Sequence, residues 1–234
     1  MHSGRHMRRP GVKRATTIRL AVFDLDGTLT RSGTSVLRHI GHEFGFASTA
    51  ERLAALHAER TMTNAQVSRT AAGLLQGRNR GELEQALRSL PMVEGIRDTV
   101  TFLNRQRVRC ALATITFDFA AQYVAHSFGF ERVSATTLEW SPDGRVTGNV
   151  MVALEAQHKC CFIEGQCAEL GISSQQVLVV GDAYTDVPAM RMAGWSVGFN
   201  PTPEVDDLAS VSLHDSTDLR DVVPHIRHLL DGPR

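Results

Sequence analysis

Short apolar runs alternate with amphipathic stretches along most of the chain. Leu20–Phe23 and residues 108–114 and 176–180 are apolar without alternation, the pattern of strands buried on both faces of a parallel sheet. Residues 32–90 read differently. Val36, Ile40 and Phe44 fall at i, i+4 and i+8, and Leu53 and Leu56 continue the apolar theme. Thr63 or Asn64 can cap a helix carrying Val67, Ala71, Leu74 and Leu75, which Gly77 and Gly81 break. Leu83, Leu87 and Leu90 form a last stripe before Pro91. A module of about four helices is therefore expected after the first strand. From Val93 onward helices are predicted at 95–107, 117–128, 153–170, after 186, at 203–208 and at 217–230. Strands are predicted at 133–140, 145–150, 195–199 and 210–213, with Gly129 and Gly171 closing two helices. Ser141-Pro142-Asp143-Gly144 marks a hairpin turn. This alternation predicts an α/β fold around a parallel sheet with right-handed crossovers. The expected division is a leader at 1–17, a core from 18–31 and 93–234, and a helical insert at 32–92.

Composition changes this picture little. The 234 residues are 42% hydrophobic with zero formal net charge, so nothing global points to nucleic acid or an anionic membrane. Residues 1–19 carry Arg5, Arg8, Arg9, Lys13, Arg14 and Arg19 and no acid; a disordered leader is expected there rather than a targeting sequence. No run approaches the roughly 20 apolar residues of a membrane span. Cys110, Cys160, Cys161 and Cys167 lack metal-ligand spacing and read as reduced thiols of a cytoplasmic protein. Of the 25 basic residues only Lys13 and Lys159 are lysine. A lysine retained at 159 suggests a compact point charge that arginine would not supply.

The chemistry gathers at strand ends. The first strand runs into Asp24-Leu25-Asp26-Gly27-Thr28. Carboxylates at i and i+2 of an extended chain leave on one side. Such crowding calls for a divalent cation, the alternative being a solvated Asp/Gly turn. A second strand ends at Thr114, and a third runs into Gly181-Asp182, with Asp186 one helical turn on. Ligands bind at the carboxyl ends of strands in open α/β sheets. Carboxylates, a hydroxyl and the Lys159 ammonium meeting there suit Mg²⁺-assisted phosphoryl transfer.

These four groups, in this order and context, resemble the motifs of the haloacid dehalogenase superfamily over residues 18 to the end. Phe117-Asp118-Phe119, the Gly181 to Asp186 stretch, Gly198-Phe199-Asn200-Pro201 and the helical insert resemble its phosphoserine phosphatase-like branch. The resemblance implies a three-layer Rossmann-like α/β core with a small C1-type helical cap. It implies Asp24 as nucleophile, forming an aspartyl-phosphate, and Asp26 as general acid and then base. It implies Mg²⁺ on the Asp24 carboxylate, the Asp26 carbonyl and Asp182, with Asp186 bound directly or through water. Thr114 and Lys159 would hold the phosphoryl group, helped by the chain around Gly27 and Thr28. Phosphoserine phosphatases usually carry a Glu and a cap Arg that grip serine; the ungapped positions here are Gly33 and Ala71, and Arg69 lies on another helix face. Their Ser-Gly-Gly is Thr114-Ile115-Thr116 here, and the Asn before the last Asp is Thr185. The expectation is a Mg²⁺-dependent phosphomonoesterase acting on a small phosphate ester other than phosphoserine, as monomer or homodimer. A phosphomutase, a phosphoserine phosphatase proper and a non-catalytic descendant are the alternatives. Tyr184, Thr116, Ile115 and Gly33 are candidate substrate-lining residues. Arg31, His39, His42, His57, Arg60, Arg69 and Arg78 are cap candidates weighed against solvated helix faces. Phe44, Phe46 and Met62 read as core or pocket wall, and Trp140 and Trp195 as packing.

Overall fold

The structure is a computed structural model that describes residues 17–230. The basic leader expected at 1–17 lies almost wholly outside the described residues. In chain order the elements are β1 (Leu20–Phe23), α1 (Val36–Glu43), α2 (Ala47–Ala58), α3 (Asn64–Leu74), α4 (Arg80–Leu87), α5 (Ile96–Arg105), β2 (Arg109–Phe117), α6 (Asp118–Phe128), β3 (Arg132–Trp140), β4 (Val146–Val152), α7 (Ala156–Leu170), β5 (Val177–Gly181), α8 (Val187–Met192), β6 (Trp195–Phe199), α9 (Pro203–Asp206), β7 (Val211–Leu213) and α10 (Val222–Ile226).

One seven-stranded sheet runs β4-β3-β2-β1-β5-β6-β7. Every pairing is parallel except β3 with β4, the hairpin that Pro142-Asp143-Gly144 closes. The central strand β1 shows why its sequence lacks alternation. Ala21 and Phe23 enter the core that includes α5, α6 and α10, whereas Leu20 and Val22 enter the opposite one, with Ile163 and Cys167 of α7 and Met190 of α8. A strand covered by helices on both faces must be apolar at successive positions. The result is the expected three-layer Rossmann-like α/β core.

Helices α1–α4 leave between β1 and α5. Their base is closed by an antiparallel bridge between Thr30 and Met92, where the Arg31 amide donates to Pro91 and the Val93 amide to Leu29. Thr63 caps α3 in a reciprocal box with Gln66, and Asn79 caps α4 in the same way with Glu82. Helix α3 packs on β4, so the insert rests on the sheet's antiparallel edge.

Three element boundaries depart from the sequence pattern. β2 runs on to Phe117 instead of ending at Thr114, and its pairing with β3 shifts register between Ala113 and Phe117. The predicted helix at 217–230 is a short α10 flanked by 3-10 turns, Leu219–Asp221 and Arg227–Leu229. Helix α7 begins at Ala156, later than residue 153, because Glu155 is its extended N-cap. Among the described residues no helix is long and apolar enough to cross a membrane.

Candidate active site

The site is built where β1, β2 and β5 end. Asp24 follows Phe23 directly and keeps the phase of Leu20 and Val22, which sends it toward the α7 face. Lys159, on the first turns of α7, meets it there. Lys159 Nζ donates to Asp24 Oδ1 at 2.7 Å and to Asp186 Oδ1 at 2.6 Å, with all three side chains buried. Burial opposes the ammonium's charge, but the two carboxylates outweigh it and hold the lysine charged well above its ordinary range. That is the physical reason a lysine stands at this position.

Asp186 closes the 3-10 turn Tyr184–Asp186 after β5, and its Oδ2 accepts from the amides of Asp182 (3.1 Å) and Ala183 (3.3 Å). Gly181 makes room for this, since a Cβ there would overlap the Asp186 carboxylate. Asp182 Oδ1 accepts from the Thr28 hydroxyl at 3.0 Å. Gly27, at φ +83°, passes over the other Asp182 oxygen, where a Cβ would clash. Ligand atoms of Asp24, Asp182 and Asp186 all lie within 4.8 Å of one another. Burial pushes the carboxyls of Asp24 and Asp182 upward, Asp24 to about 7, against the pull of Lys159. Three clustered carboxylates, two of them buried, with one ammonium among them are short of positive charge, and an all-oxygen donor set of this spacing fits a hard divalent cation such as Mg²⁺.

Asp26 stands apart from this cluster. The strand ends at Phe23 and the chain turns, yet Asp24 and Asp26 still open onto one cavity at the sheet end. Leu25 is swallowed by the core, and Asp26 Oδ1 accepts from the first amide of α1, at Val36 (2.7 Å). Burial pushes this carboxyl up to about 6, although the Val36 amide and the nearby Lys159 and Arg38 charges oppose the rise. Thr28, expected at a phosphoryl group, is instead fully buried beneath Asp182 and does not line the cavity. The Gly27 amide is likewise taken, by the Thr30 hydroxyl at 2.8 Å.

A cavity of about 690 Å³ opens above these groups, between the sheet end and helices α1–α3. Asp24, Asp26, Thr114 and Asp182 lie at its floor; Lys159 and Asp186 sit behind them, out of the lining. The shifted register of β2 turns Thr114, Ile115 and Thr116 into it, and Gly33 and Tyr184 line it too. Of the cap candidates only His57 and Arg60 reach it. His57 Nε2 shares a 2.8 Å hydrogen bond with the Tyr184 hydroxyl, and burial pushes His57 down. Arg60 lies 4.4 Å over the Tyr184 ring and pairs with Glu204. The others serve the fold or the surface. His39 bonds the Ala86 carbonyl, Arg31 bonds that of Met92, and Arg78 covers the Phe44 ring. His42 and Arg69 are exposed away from the cavity. Phe44, Phe46 and Met62 pack on the core and form no part of its wall.

Arg38 and Glu155 were invisible in the sequence. Arg38 lines the cavity from the first turn of α1, beside Asp26. The Glu155 carboxylate accepts from the amides of Asn64 and Ala65, so an acid ahead of α7 holds the start of α3. The Asn64 side chain in turn donates to the carbonyls of Ile115 and Leu154. An acid ahead of a helix was the only local signal for Glu155, and Arg38 is an ordinary polar position within α1.

Residues 21–191 match the family model for haloacid dehalogenase-like hydrolases. The chain belongs to this family. It is 24% identical over 210 residues to a protein of Methanocaldococcus jannaschii named phosphoserine phosphatase, covering 89% of this chain and 98% of that one. It is 27% identical over 147 residues to a phosphoserine phosphatase of Haemophilus influenzae, covering 62% of this chain but only 46% of that protein. Among solved structures, a substrate-bound phosphoserine phosphatase complex superposes with a TM-score of 0.79 at 23% identity, over 90% of this chain and 99% of the other. A hydrolase of the same family from Salmonella enterica serovar Typhi superposes at 0.81 with 16% identity, over 89% and 71%. These likenesses establish the haloacid dehalogenase fold and the hydrolase assignment.

Proposed function

We propose that this hydrolase is a Mg²⁺-dependent phosphomonoesterase that works through an aspartyl-phosphate on Asp24 and is not specific for phosphoserine. The reading is carried by one observation: Asp24 faces a cavity while a buried lysine holds it from behind and two further carboxylates cluster with it. Helices α1–α4 serve as the cap over that cavity. Asp24, Asp182 and Asp186 would hold the metal, whose charge offsets the repulsion between carboxylate and phosphate. An Asp24 oxygen attacks phosphorus, and the bond from phosphorus to the leaving alcohol oxygen breaks. Asp26 gives that oxygen its proton, then takes one from the water that releases phosphate and frees Asp24. A carboxyl raised to about 6 is suited to both roles near neutral pH. Thr114 lines the floor where a phosphoryl oxygen would lie, and Lys159 keeps Asp24 ionised and oriented from behind.

The curated relatives are named for phosphoserine, yet the pair that would grip serine is missing here. Gly33 and Ala71 both line the cavity, and neither can hold an ammonium or a carboxylate. Phosphate release measured over amino-acid, sugar, nucleotide and hydroxy-acid phosphates tests the reading. Turnover is expected with esters other than L-phosphoserine, to be lost in Asp24→Asn and in chelator, and to return with Mg²⁺. A dominant preference for L-phosphoserine would restore the relatives' activity as the right one, and full turnover by Asp24→Asn would overturn the mechanism.

A further inference from the structure

The cavity offers very little that is free to bind a charged substrate group. Four of its lining side chains are acidic, and each is engaged. Asp24 and Asp182 belong to the candidate metal cluster, Asp26 caps α1, and Glu204 pairs with Arg60. No acid is left to receive a substrate ammonium. On the basic side Arg60 is committed to Glu204 and to the Tyr184 ring, and His57 is tied to the Tyr184 hydroxyl, with burial pushing its pKa down. Arg38 differs. Its Nε donates to Glu51 at 2.9 Å, which fixes the plane of the guanidinium. Among the described residues its two terminal nitrogens have no hydrogen-bond partner. The Arg38–Glu51 pair is exposed on the Glu51 side, so it neutralises the arginine weakly.

Arg38 is also well placed. The first amide of α1 is bonded to Asp26 and the third, that of Arg38 itself, to Ser35 Oγ at 3.3 Å. The helix start is thereby anchored to the residue proposed to protonate the leaving alcohol. An anion carried by that alcohol would meet the guanidinium fork, which suits carboxylate and phosphate oxygens alike. Part of the wall is apolar: Leu37, Ala54, Val67, Ala71 and Ile115. Its residues are mostly small, and the volume of about 690 Å³ lies within the roughly 300–1,000 Å³ typical of sites for drug-sized molecules. An amino-acid phosphate would leave most of it unfilled.

Building on the phosphatase reading, we infer that the site takes a phosphate ester whose alcohol has an apolar body larger than an amino acid and bears an oxyanion held by Arg38. The leaving group carries no ammonium. Its anion is a carboxylate or a second phosphate, both of which present the same paired oxygens.

Matched substrates test this. Phosphate monoesters of a medium-chain ω-hydroxy acid, of its neutral amide, of the corresponding amino alcohol and of the corresponding diol bisphosphate share one apolar body. In the wild-type enzyme the acid or the bisphosphate is expected to exceed the amide in kcat/KM by on the order of 10- to 100-fold, the range of one charge-assisted contact. The amino alcohol ester should be the poorest. Arg38→Gln should collapse the acid-to-amide ratio and Arg38→Lys should keep part of it; a ratio is insensitive to how much of either variant folds. Ala71→Leu should depress the medium-chain acid ester relative to a two-carbon hydroxy-acid ester. Turnover of the amide equal to that of both the acid and the bisphosphate, an anion-to-amide ratio unchanged in Arg38→Gln, or a preference for the two-carbon ester would each overturn the inference. These outcomes leave the phosphatase reading standing. That reading fails separately if wild-type enzyme with Mg²⁺ releases phosphate from no ester.

Discussion

Replacing Lys159 by Met should turn the most buried charge cluster of the protein against its own fold. Lys159 is only 3% exposed, and its ammonium serves two carboxylates, at 2.7 and 2.6 Å. Two effects oppose each other. The variant no longer has to desolvate a cation, which favours it. It also strands Asp24, Asp182 and Asp186 within 4.8 Å with no positive charge, turning a cluster of three acids and one base into three acids alone. Stranding dominates, because removing one partner of a buried pair costs about 3–5 kcal/mol. For a chain of this size that is a fall in Tm of about 6–20 °C. The loss should depend on pH. Burial already raises Asp24 above the ordinary carboxylate value of 3.8, to about 7, and Lys159 is among the influences holding it down. Without the lysine the folded state binds more protons than the unfolded state over a wider range, so stability falls more steeply as pH rises. Lys159 itself adds no slope here, since its raised folded value leaves it charged in both states below about 10. Thermal melts in chelator at pH 5 and pH 8 read this directly. The gap between wild type and Lys159→Met should be wide at pH 8, narrow at pH 5 as the acids protonate, and narrow again at pH 8 with added Mg²⁺. A gap below about 2 °C, or one of equal size at both pH values, would refute the charge argument.

Three further outcomes follow from the same geometry. In wild-type protein desolvation raises the carboxyls of Asp24 and Asp182, so without metal stability falls as pH rises from about 4 toward 7. Mg²⁺ competes with those protons, and its gain in Tm should therefore be larger at pH 8 than at pH 5; equal gains would count against the cluster as the metal site. Thr28→Val removes the hydroxyl that donates to Asp182 Oδ1, and calorimetry should find Mg²⁺ bound on the order of 10-fold more weakly; unchanged affinity would show that this bond does not orient the ligand. Gly27→Ala puts a Cβ into the Asp182 carboxylate at a φ of +83°, which should cost about 1–3 kcal/mol of stability and on the order of 100-fold in phosphate release. A variant with wild-type melting and turnover would contradict the close approach of these two segments.

The parts of the site that were legible in the sequence are those whose chemistry follows their local context. Asp24 directly follows an apolar strand, Gly181-Asp182 follows another, and both come out where a parallel sheet exposes its strand ends. What was not legible depends on partners far away in the chain. Thr28 reads as a loop hydroxyl until β5 brings Asp182 against it, 154 residues on. Asp26 reads as a free second carboxylate until α1 docks its first amide on it. Arg38 looks like any polar position of an amphipathic helix, and only the anchoring of α1 to Asp26 turns it into the cavity.

Taken alone, the sequence determined that a two-faced parallel sheet would form, that four helices would be inserted after its first strand, and that acids, a threonine and a rare lysine would meet at its carboxyl edge. It could do so because apolar runs, helical spacing and short motifs are local properties of the chain. The tertiary structure decided how those groups share their work. It put Lys159 between Asp24 and Asp186, gave Asp26 an amide partner in place of the lysine, buried Thr28 and gathered apolar side chains and Arg38 around one cavity. Those outcomes hang on crossover connections and on the docking of the insert, where an ångström decides whether a carboxylate meets an amide, a hydroxyl or an ammonium.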